Sequence, residues 1–286
     1  MSVENKKITG ILLMLCASTC FVTMSMLVKA MGDSMPILEL IFLRSSLAVP
    51  ILLAALIKRG KPLVTRAWGV LLLRALFGSV AMFCFYYALT NMPLADCVFL
   101  GRTQPLFLTL LAPFIVSERA PKEAWVAIFC GLAGSLFIMR PGLAWSLAAW
   151  VALLAALCAA VAHLMVRRLS RTDDPGVIVF NFTLILAIIS GLFCFNSFQK
   201  PDWQQWGLIC GVSFFASSGQ YLLTTAYRYD KAPAIAAASY ASVIFSVIFG
   251  YYFWGEIPAP ATWIGGFCIV CGGIWLIYSR MRCVDE

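Results

Sequence analysis

The sequence contains few charged residues. Asp, Glu, Lys and Arg make up 12% of the 286 residues, against about a quarter in soluble domains, while hydrophobic residues make up 62%. The apolar runs also lack the strict alternation of outer-membrane β-barrel strands, so a barrel is excluded. Because a helix crosses a bilayer with ~20 mainly apolar residues, the composition predicts an all-α membrane protein.

The sequence also lacks the motifs of enzymes. It contains no glycine-rich phosphate loop and no HExxH motif, and its single histidine is His163. Cys268 and Cys271 form a CxxC pair inside an apolar run, without a second pair or a nearby histidine, so no metal site is expected. We predict a protein that is not an enzyme, needs no cofactor and is driven by gradients.

Ten apolar segments predict ten transmembrane helices, at residues 8–31, 36–57, 68–90, 94–116, 123–140, 145–166, 175–195, 203–226, 232–253 and 260–280. With the N-terminus inside, fifteen of the 21 lysines and arginines fall in inner segments and three in outer ones. Positive loops stay cytoplasmic, so both termini are predicted in the cytoplasm of a multi-pass inner (cell) membrane protein. These loops account for the net charge of +8, and no nucleic-acid partner is expected.

The chain repeats itself with an offset of 138 residues. This shift aligns Ala88 with Ala226, Phe107 with Phe245 and Glu118 with Glu256. We predict two repeats, residues 1–141 and 142–286, each with five helices. An odd number of helices forces the second repeat to enter the membrane from the opposite side. Such inverted repeats are typical of alternating-access carriers that bind substrate between the repeats near mid-membrane.

Several segments resemble one known family, the EamA branch of the drug/metabolite transporter superfamily. They are FLRSSLA (42–48), LRALFG (73–78), YYALTNMPLADCVFL (86–100), SERAPKEAWVAIFCGLAGSLFIMRPG (117–142) and GEIPAPATWIGGFCIVCGGIWLI (255–277). The resemblance covers essentially the whole chain. It implies a ten-helix carrier for small organic metabolites. One departure is that Val243 replaces, in the second repeat, the proline found at Pro105 in the first.

A polar notch interrupts the fourth predicted span. Arg102 lies ~12 Å from the outer end of this helix, and Pro105 cannot donate a hydrogen bond to the carbonyl of Gly101. Because a charge inside a membrane helix avoids lipid, Arg102 and the neighbouring Gln104 are candidates for substrate contact. The alternative is a structural Arg102 that pairs with an acid and extends towards the outer surface.

Other charged residues suggest gating or coupling. Arg44 lies at a depth like that of Arg102, and the nearby acids are Glu39 and Asp96, so exchange of ion-pair partners could form a gate. His163, with an unperturbed pKa of ~6.5, could carry a coupling proton, or it could be an interfacial structural residue. Arg74 lies nearer the inner face, where extension towards the head groups is expected.

Four uncharged polar residues complete the candidate binding set. The repeat aligns Arg102 with Tyr240, while Gln220, Tyr221 and Asn181 lie within predicted spans. Each could contact a substrate or form an interhelical hydrogen bond.

The arginine surplus within the spans favours a substrate that carries a carboxylate or phosphate. We predict secondary active transport of a small zwitterionic or carboxylate-bearing metabolite, such as an amino acid or a compound like S-adenosylmethionine. Membrane lipid is the expected surrounding. The alternatives are a scaffold or receptor that transports nothing, a channel, and an exporter of amines or drugs.

Overall fold

The computed structural model describes residues 3–65, 67–117, 126, 129, 130, 133, 134, 137, 146–194, 198, 200–229 and 242–282. The described residues form helices and turns, and no strand occurs among them, in agreement with the predicted all-α class. The helices are α1 (Val3–Met31), α2 (Ile37–Lys58), α3 (Trp68–Asn91), α4 (Leu94–Gly101), α5 (Gln104–Ile115), α6 (Leu147–Leu169), α7 (Pro175–Cys194), α8 (Trp203–Ala226), α9 (Ser242–Trp254) and α10 (Pro260–Arg282).

Six segments of the described chain are long and apolar enough to cross a membrane. They are Ile8–Met31, Ile37–Lys58, Trp68–Asn91, Leu94–Ile115, Leu147–Leu169 and Pro175–Cys194. Each coincides with a predicted span to within a few residues, and α8 matches the predicted eighth span although it is less apolar. Most of the predicted fifth span and the start of the ninth lie outside the described residues. The count of ten helices and the cytoplasmic termini therefore stay predictions.

The most extensive helix contacts join the two halves of the chain. Helix α3 packs against α6, α1 against α8 and α2 against α7. With the offset of 138 residues, α6, α7 and α8 are the counterparts of α1, α2 and α3. The first helix of each half thus packs against the third helix of the other, and the two second helices pack together. Such reciprocal pairing places the interior of the bundle between the halves.

Local sequence determines where several helices begin. Pro36 and Pro93 immediately precede α2 and α4. Proline is tolerated at the start of a helix because the N–H that it lacks would have no partner within the helix there. Helix α8 begins with a capping box, in which the Asp202 carboxylate accepts from Gln205 N at 2.7 Å and Gln205 Oε1 accepts from Asp202 N at 2.9 Å. These helices therefore begin at positions that the sequence itself defines.

Helix α4 is almost entirely buried. Leu94, Cys97 and Leu100 are fully buried, as are Tyr86 and Leu89 of α3. Helices in a membrane associate mainly through close van der Waals packing and hydrogen bonds, because lipid is as apolar as leucine. Helix α4 packs mainly against α9 and α6, and to a smaller extent against α3, next to the polar interior.

Candidate binding cavity

Helix α3 places Arg74 in the interior of the bundle. The residue is only 3% exposed. Its Nη2 donates to Gln220 Oε1 of α8 at 3.1 Å, and its guanidinium lies 3.9 Å from the ring centroid of Phe182 on α7. Gly78, one turn further along α3, leaves the space that the guanidinium occupies, because a Cβ there would overlap Arg74 Nη1. The predicted extension of Arg74 to the membrane surface is therefore wrong.

Arg44 of α2 also enters the interior, where it is 4% exposed. Its Nη2 contacts the Met82 sulfur, and its guanidinium carbon lies 5.8 Å from the ring centroid of Tyr86. The backbone carbonyl of Arg44 accepts from the Ser213 hydroxyl of α8 at 2.8 Å. Arg44 is thus held between α3 and α8 by neutral groups.

The helix of the fourth span is interrupted at Arg102 and Thr103, between α4 and α5. Arg102 N donates to the carbonyls of Val98 and Phe99, at 3.1 and 2.9 Å. The Thr103 hydroxyl donates to the Leu100 carbonyl at 2.7 Å, which satisfies a carbonyl at the end of α4. The predicted notch is therefore present, as an interruption of the helix just before Pro105. It places Gln104 at the first position of α5.

Gln104 joins a polar cluster with His163 of α6. Gln104 Nε2 lies 3.1 Å from His163 Nδ1, and the Tyr227 hydroxyl lies 3.4 Å from the same nitrogen. An amide nitrogen can only donate, so His163 Nδ1 is the acceptor of the Gln104 bond. Tyr227 is fully buried, and its backbone carbonyl accepts from Arg167 Nη1 at 2.5 Å. The cluster ties α5 to α6 and to the end of α8.

The three arginines, Gln104, His163 and Gln220 line one cavity of about 180 Å³ in the interior of the bundle. Helices α1 to α8 all contribute to its wall. Its polar lining comes from Ser18, Ser25, Arg44, Arg74, Arg102, Gln104, His163 and Gln220, and the alanines of α6 form an apolar side at Ala155, Ala156, Ala159 and Ala162. No aspartate or glutamate lines it among the described residues. The structure thus brings three guanidiniums together around one small space.

The electrostatics of the cavity favour an anion. Neither Arg44 nor Arg74 forms an ion pair within the described chain, and the Nε atoms of both lack hydrogen-bond partners there. Unpaired cationic groups are costly in a low-dielectric interior. A carboxylate or phosphate would supply negative charge and matching acceptors, and arginine binds both in bidentate geometry.

Three predicted site residues lie elsewhere, and a fourth falls outside the described part of the chain. Asn181 donates to the carbonyls of Leu63 and Val177, at 2.9 and 2.8 Å. Glu39 and Asp96 are buried, at 1% and 6% exposure, but neither lines the cavity. The Asp96 Oδ1 atom accepts a hydrogen bond from the Thr262 hydroxyl at 2.7 Å. Tyr240 lies outside the described residues.

The remaining candidate, Tyr221, lines a separate groove of about 560 Å³ between α2 and α8. Its hydroxyl accepts from Arg59 Nη1 at 2.9 Å, and this bond raises the pKa of Arg59 above its ordinary value. Most of the groove wall is apolar, and its outer residues Ile51 and Phe214 are 69% and 66% exposed. Exposed apolar side chains on a membrane helix face lipid, so we interpret the groove as a surface for acyl chains.

An ion pair joins the two halves at one end of the bundle. Lys29 Nζ of α1 lies 2.6 Å from Glu256 Oε1, and Glu256 Oε2 accepts from Leu94 N at the start of α4 at 2.9 Å. Gly255, with φ of 64°, ends α9 and turns the chain so that Glu256 N bonds to the Gly250 carbonyl at 3.1 Å. The contact brings the α9–α10 turn over α1 and α4.

A second group of contacts joins the halves at the opposite end. Lys61 and Asp174 form an ion pair at 3.5 Å. Thr65, from the same α2–α3 loop, donates its hydroxyl proton to Asp173, whose backbone carbonyl accepts from Arg228 Nη2 at 2.9 Å. Contacts between the halves therefore lie on both sides of the central cavity.

Sequence reasoning missed Gly78, Phe182 and the Lys29–Glu256 pair. A signal for Gly78 was present, because a glycine four residues after Arg74 lies on the same helix face. Phe182 and the ion pair depend on contacts between distant segments, which have no local signature.

The comparisons with known proteins agree with this architecture. The profile of the EamA-like transporter family matches residues 8–140 and 146–279. The pseudopaline exporter CntI of Pseudomonas aeruginosa is 30% identical over 95% of this chain and 97% of its own length. A riboflavin transporter of Vibrio cholerae is 25% identical over 94% of this chain and 93% of its own. A crystal structure with 21% identity and a TM-score of 0.72 covers 97% of this chain and 99% of its own, which supports the fold alone.

Proposed function

Since the chain belongs to the EamA-like transporter family, we propose that it is a secondary active transporter that moves a small carboxylate-bearing metabolite by alternating access. The membership confirms the predicted resemblance, and the double match confirms a duplicated membrane transporter. The inverted orientation of the repeats, the substrate class and the transport cycle belong to the proposal.

The main observation that supports this proposal is the arginine-lined cavity. Arg44, Arg74 and Arg102 surround a space whose described lining contains no carboxylate. We propose that they bind the substrate anion, with Gln104 and Gln220 as further hydrogen-bonding groups. The same positive charge opposes an exporter of amines or cationic drugs, because a cation would enter an already cationic cavity. Tyr221 and Asn181 are left out of the proposed set because they lie outside the cavity.

Alternating access requires the two ends of the bundle to open in turn. We propose that the Lys29–Glu256 pair closes one end and the loop contacts around Asp173 and Asp174 close the other. The cavity of about 180 Å³ is smaller than the several hundred Å³ of most ligand sites, so a larger substrate would enter only when one end opens. Proton coupling through His163 stays a proposal. Its test is solute flux through wild type and His163→Gln in proteoliposomes, with and without an imposed pH gradient.

We assign neither relative's substrate to this chain. We propose export as the direction of transport, because the relative from Pseudomonas aeruginosa is an exporter. The test is solute flux in proteoliposomes that contain the purified chain, with labelled amino acids, mono- and dicarboxylates, S-adenosylmethionine, riboflavin and amines. We expect saturable flux of a carboxylate compound, lost in Arg102→Gln and partly kept in Arg102→Lys, with both variants folded. Flux of amines alone, or none of any solute, would contradict the proposal; the second result would favour a scaffold or receptor.

A further inference from the structure

The guanidinium groups of two cavity arginines, Arg74 of α3 and Arg44 of α2, lie along one face of α3. Arg74, Gly78 and Met82 follow each other at intervals of four residues, and all three line the cavity. The Arg74 guanidinium lies over Gly78, while the Arg44 guanidinium reaches the Met82 sulfur from α2. Since four residues of an α-helix rise ~6 Å, the two guanidiniums lie roughly one turn apart along α3.

Both guanidiniums are held by neutral partners. Arg74 bonds to the Gln220 amide oxygen at 3.1 Å and stacks on Phe182, and Arg44 bonds to a thioether sulfur, which is a weak acceptor. Neither forms an ion pair in the described part of the chain, and both leave Nε without a partner there. Arg44 and Arg74 are only 4% and 3% exposed, so both guanidiniums are buried in the bundle.

Two buried like charges at this spacing repel each other, and a ligand with one carboxylate can neutralise only one of them. We propose that the substrate carries two anionic oxygen groups about one helical turn apart, one bound by Arg44 and the other by Arg74. This inference rests on the proposed function of the cavity and narrows it, because an ordinary zwitterionic amino acid with one carboxylate would satisfy only half of the site. Gly78 serves the site by leaving room for the second guanidinium.

A length series of simple acids tests the spacing on the wild-type chain. The purified full-length protein in lipid nanodiscs is titrated by calorimetry with butyrate, succinate, glutarate and adipate, and with methylenebisphosphonate as a phosphonate counterpart. We expect at least one diacid to bind about tenfold or more tightly than butyrate, because a second close charge pair is worth at least that factor. The affinity should also depend on chain length, since the two guanidiniums have a defined separation.

Arginine variants test which groups bind the two anions. Arg44→Gln and Arg74→Gln should each bind the preferred diacid only as tightly as wild type binds butyrate. Arg59→Gln is the matched control, because Arg59 is an exposed arginine bound to Tyr221 in the separate groove, and it should bind like wild type. If either cavity variant does not fold, the length series on the wild type still decides the question.

Each result has a definite consequence. If butyrate binds as tightly as every diacid, the two-anion inference is wrong while a carboxylate site remains. If no acid binds and no carboxylate moves in proteoliposomes, the inference and the proposed function both fail. If the bisphosphonate binds more tightly than the diacids and needs both arginines, the two-anion site is supported with phosphate-like groups. If chloride or sulfate binds as tightly as the preferred diacid, the two-anion inference is wrong and the cavity is a simple anion site.

Discussion

The central cavity and the groove between α2 and α8 differ in size and in chemistry. The groove is about three times larger, at about 560 against 180 Å³, yet its wall is mostly apolar and its outer side chains are exposed. The smaller cavity contains three arginines and two glutamines. Volume measures available space, whereas recognition needs converging polar groups, and charges inside a membrane mark the functional path. This difference supports the proposal that the substrate binds in the smaller space.

The largest effect is expected when each of the two spaces is filled in turn. Ala159→Leu adds an apolar side chain at a partly exposed position of the cavity wall, and we expect flux in proteoliposomes to fall to the background of empty vesicles. Ser217→Leu makes a similar change in the groove and should transport like wild type. Loss of flux in the groove variant with normal flux in the cavity variant would reverse the assignment.

The space over Gly78 can be removed without changing any charge. In Gly78→Ala the new Cβ would overlap Arg74 Nη1 and lie 2.9 Å from Phe182 Cε2, so Arg74 must move. We expect the affinity for the preferred diacid to fall about tenfold or more, with a stability loss of about 1–3 kcal/mol from overpacking. Calorimetric titration and thermal unfolding measure the two effects.

Gly69→Ala is the control for this change on the same helix, since a Cβ there meets nothing within 4 Å. Its affinity should equal that of wild type. If Gly78→Ala also binds normally, the placement of Arg74 does not contribute to the site.

The two ion pairs at the ends of the bundle should differ in strength. The Lys29–Glu256 side chains are 12% and 21% exposed, against 46% and 23% for Lys61–Asp174. We expect Lys29→Met to lower the free energy of unfolding by about 1–2 kcal/mol, between the values for exposed and buried pairs, and Lys61→Met by less. Denaturant unfolding in the same detergent compares them. A larger loss in Lys61→Met would show that the better buried pair is the weaker one.

The smallest effect is expected at Tyr221. Tyr221→Phe removes the bond to Arg59 in the groove and nothing in the cavity. Stability should change by no more than about 0.5 kcal/mol, because the lost bond is exposed to solvent, and the flux should stay at the wild-type rate. A clear loss of flux would extend the site into the groove and restore Tyr221 as a binding residue.

The part of the site within one helix was predictable from local sequence. The notch at Arg102 follows from an arginine and a proline in an apolar run, and the structure has a helix break at that place. The position of Arg74 was not predictable in the same way. Its distance from the helix end favours extension to the surface, whereas the described fold provides Gln220 and Phe182 from two helices more than a hundred residues away.

The sequence by itself determined the membrane class, the six clear spans, the duplication and the break before Pro105. These properties depend on hydropathy, local backbone chemistry and internal similarity, all of which act along the chain. Only the tertiary structure decided which polar residues share a space. Gln220 faces the cavity while its neighbour Tyr221 faces the groove, and three arginines from three spans converge. The physical reason is that the face each helix turns inward depends on its packing against partners distant in sequence, which no local pattern encodes.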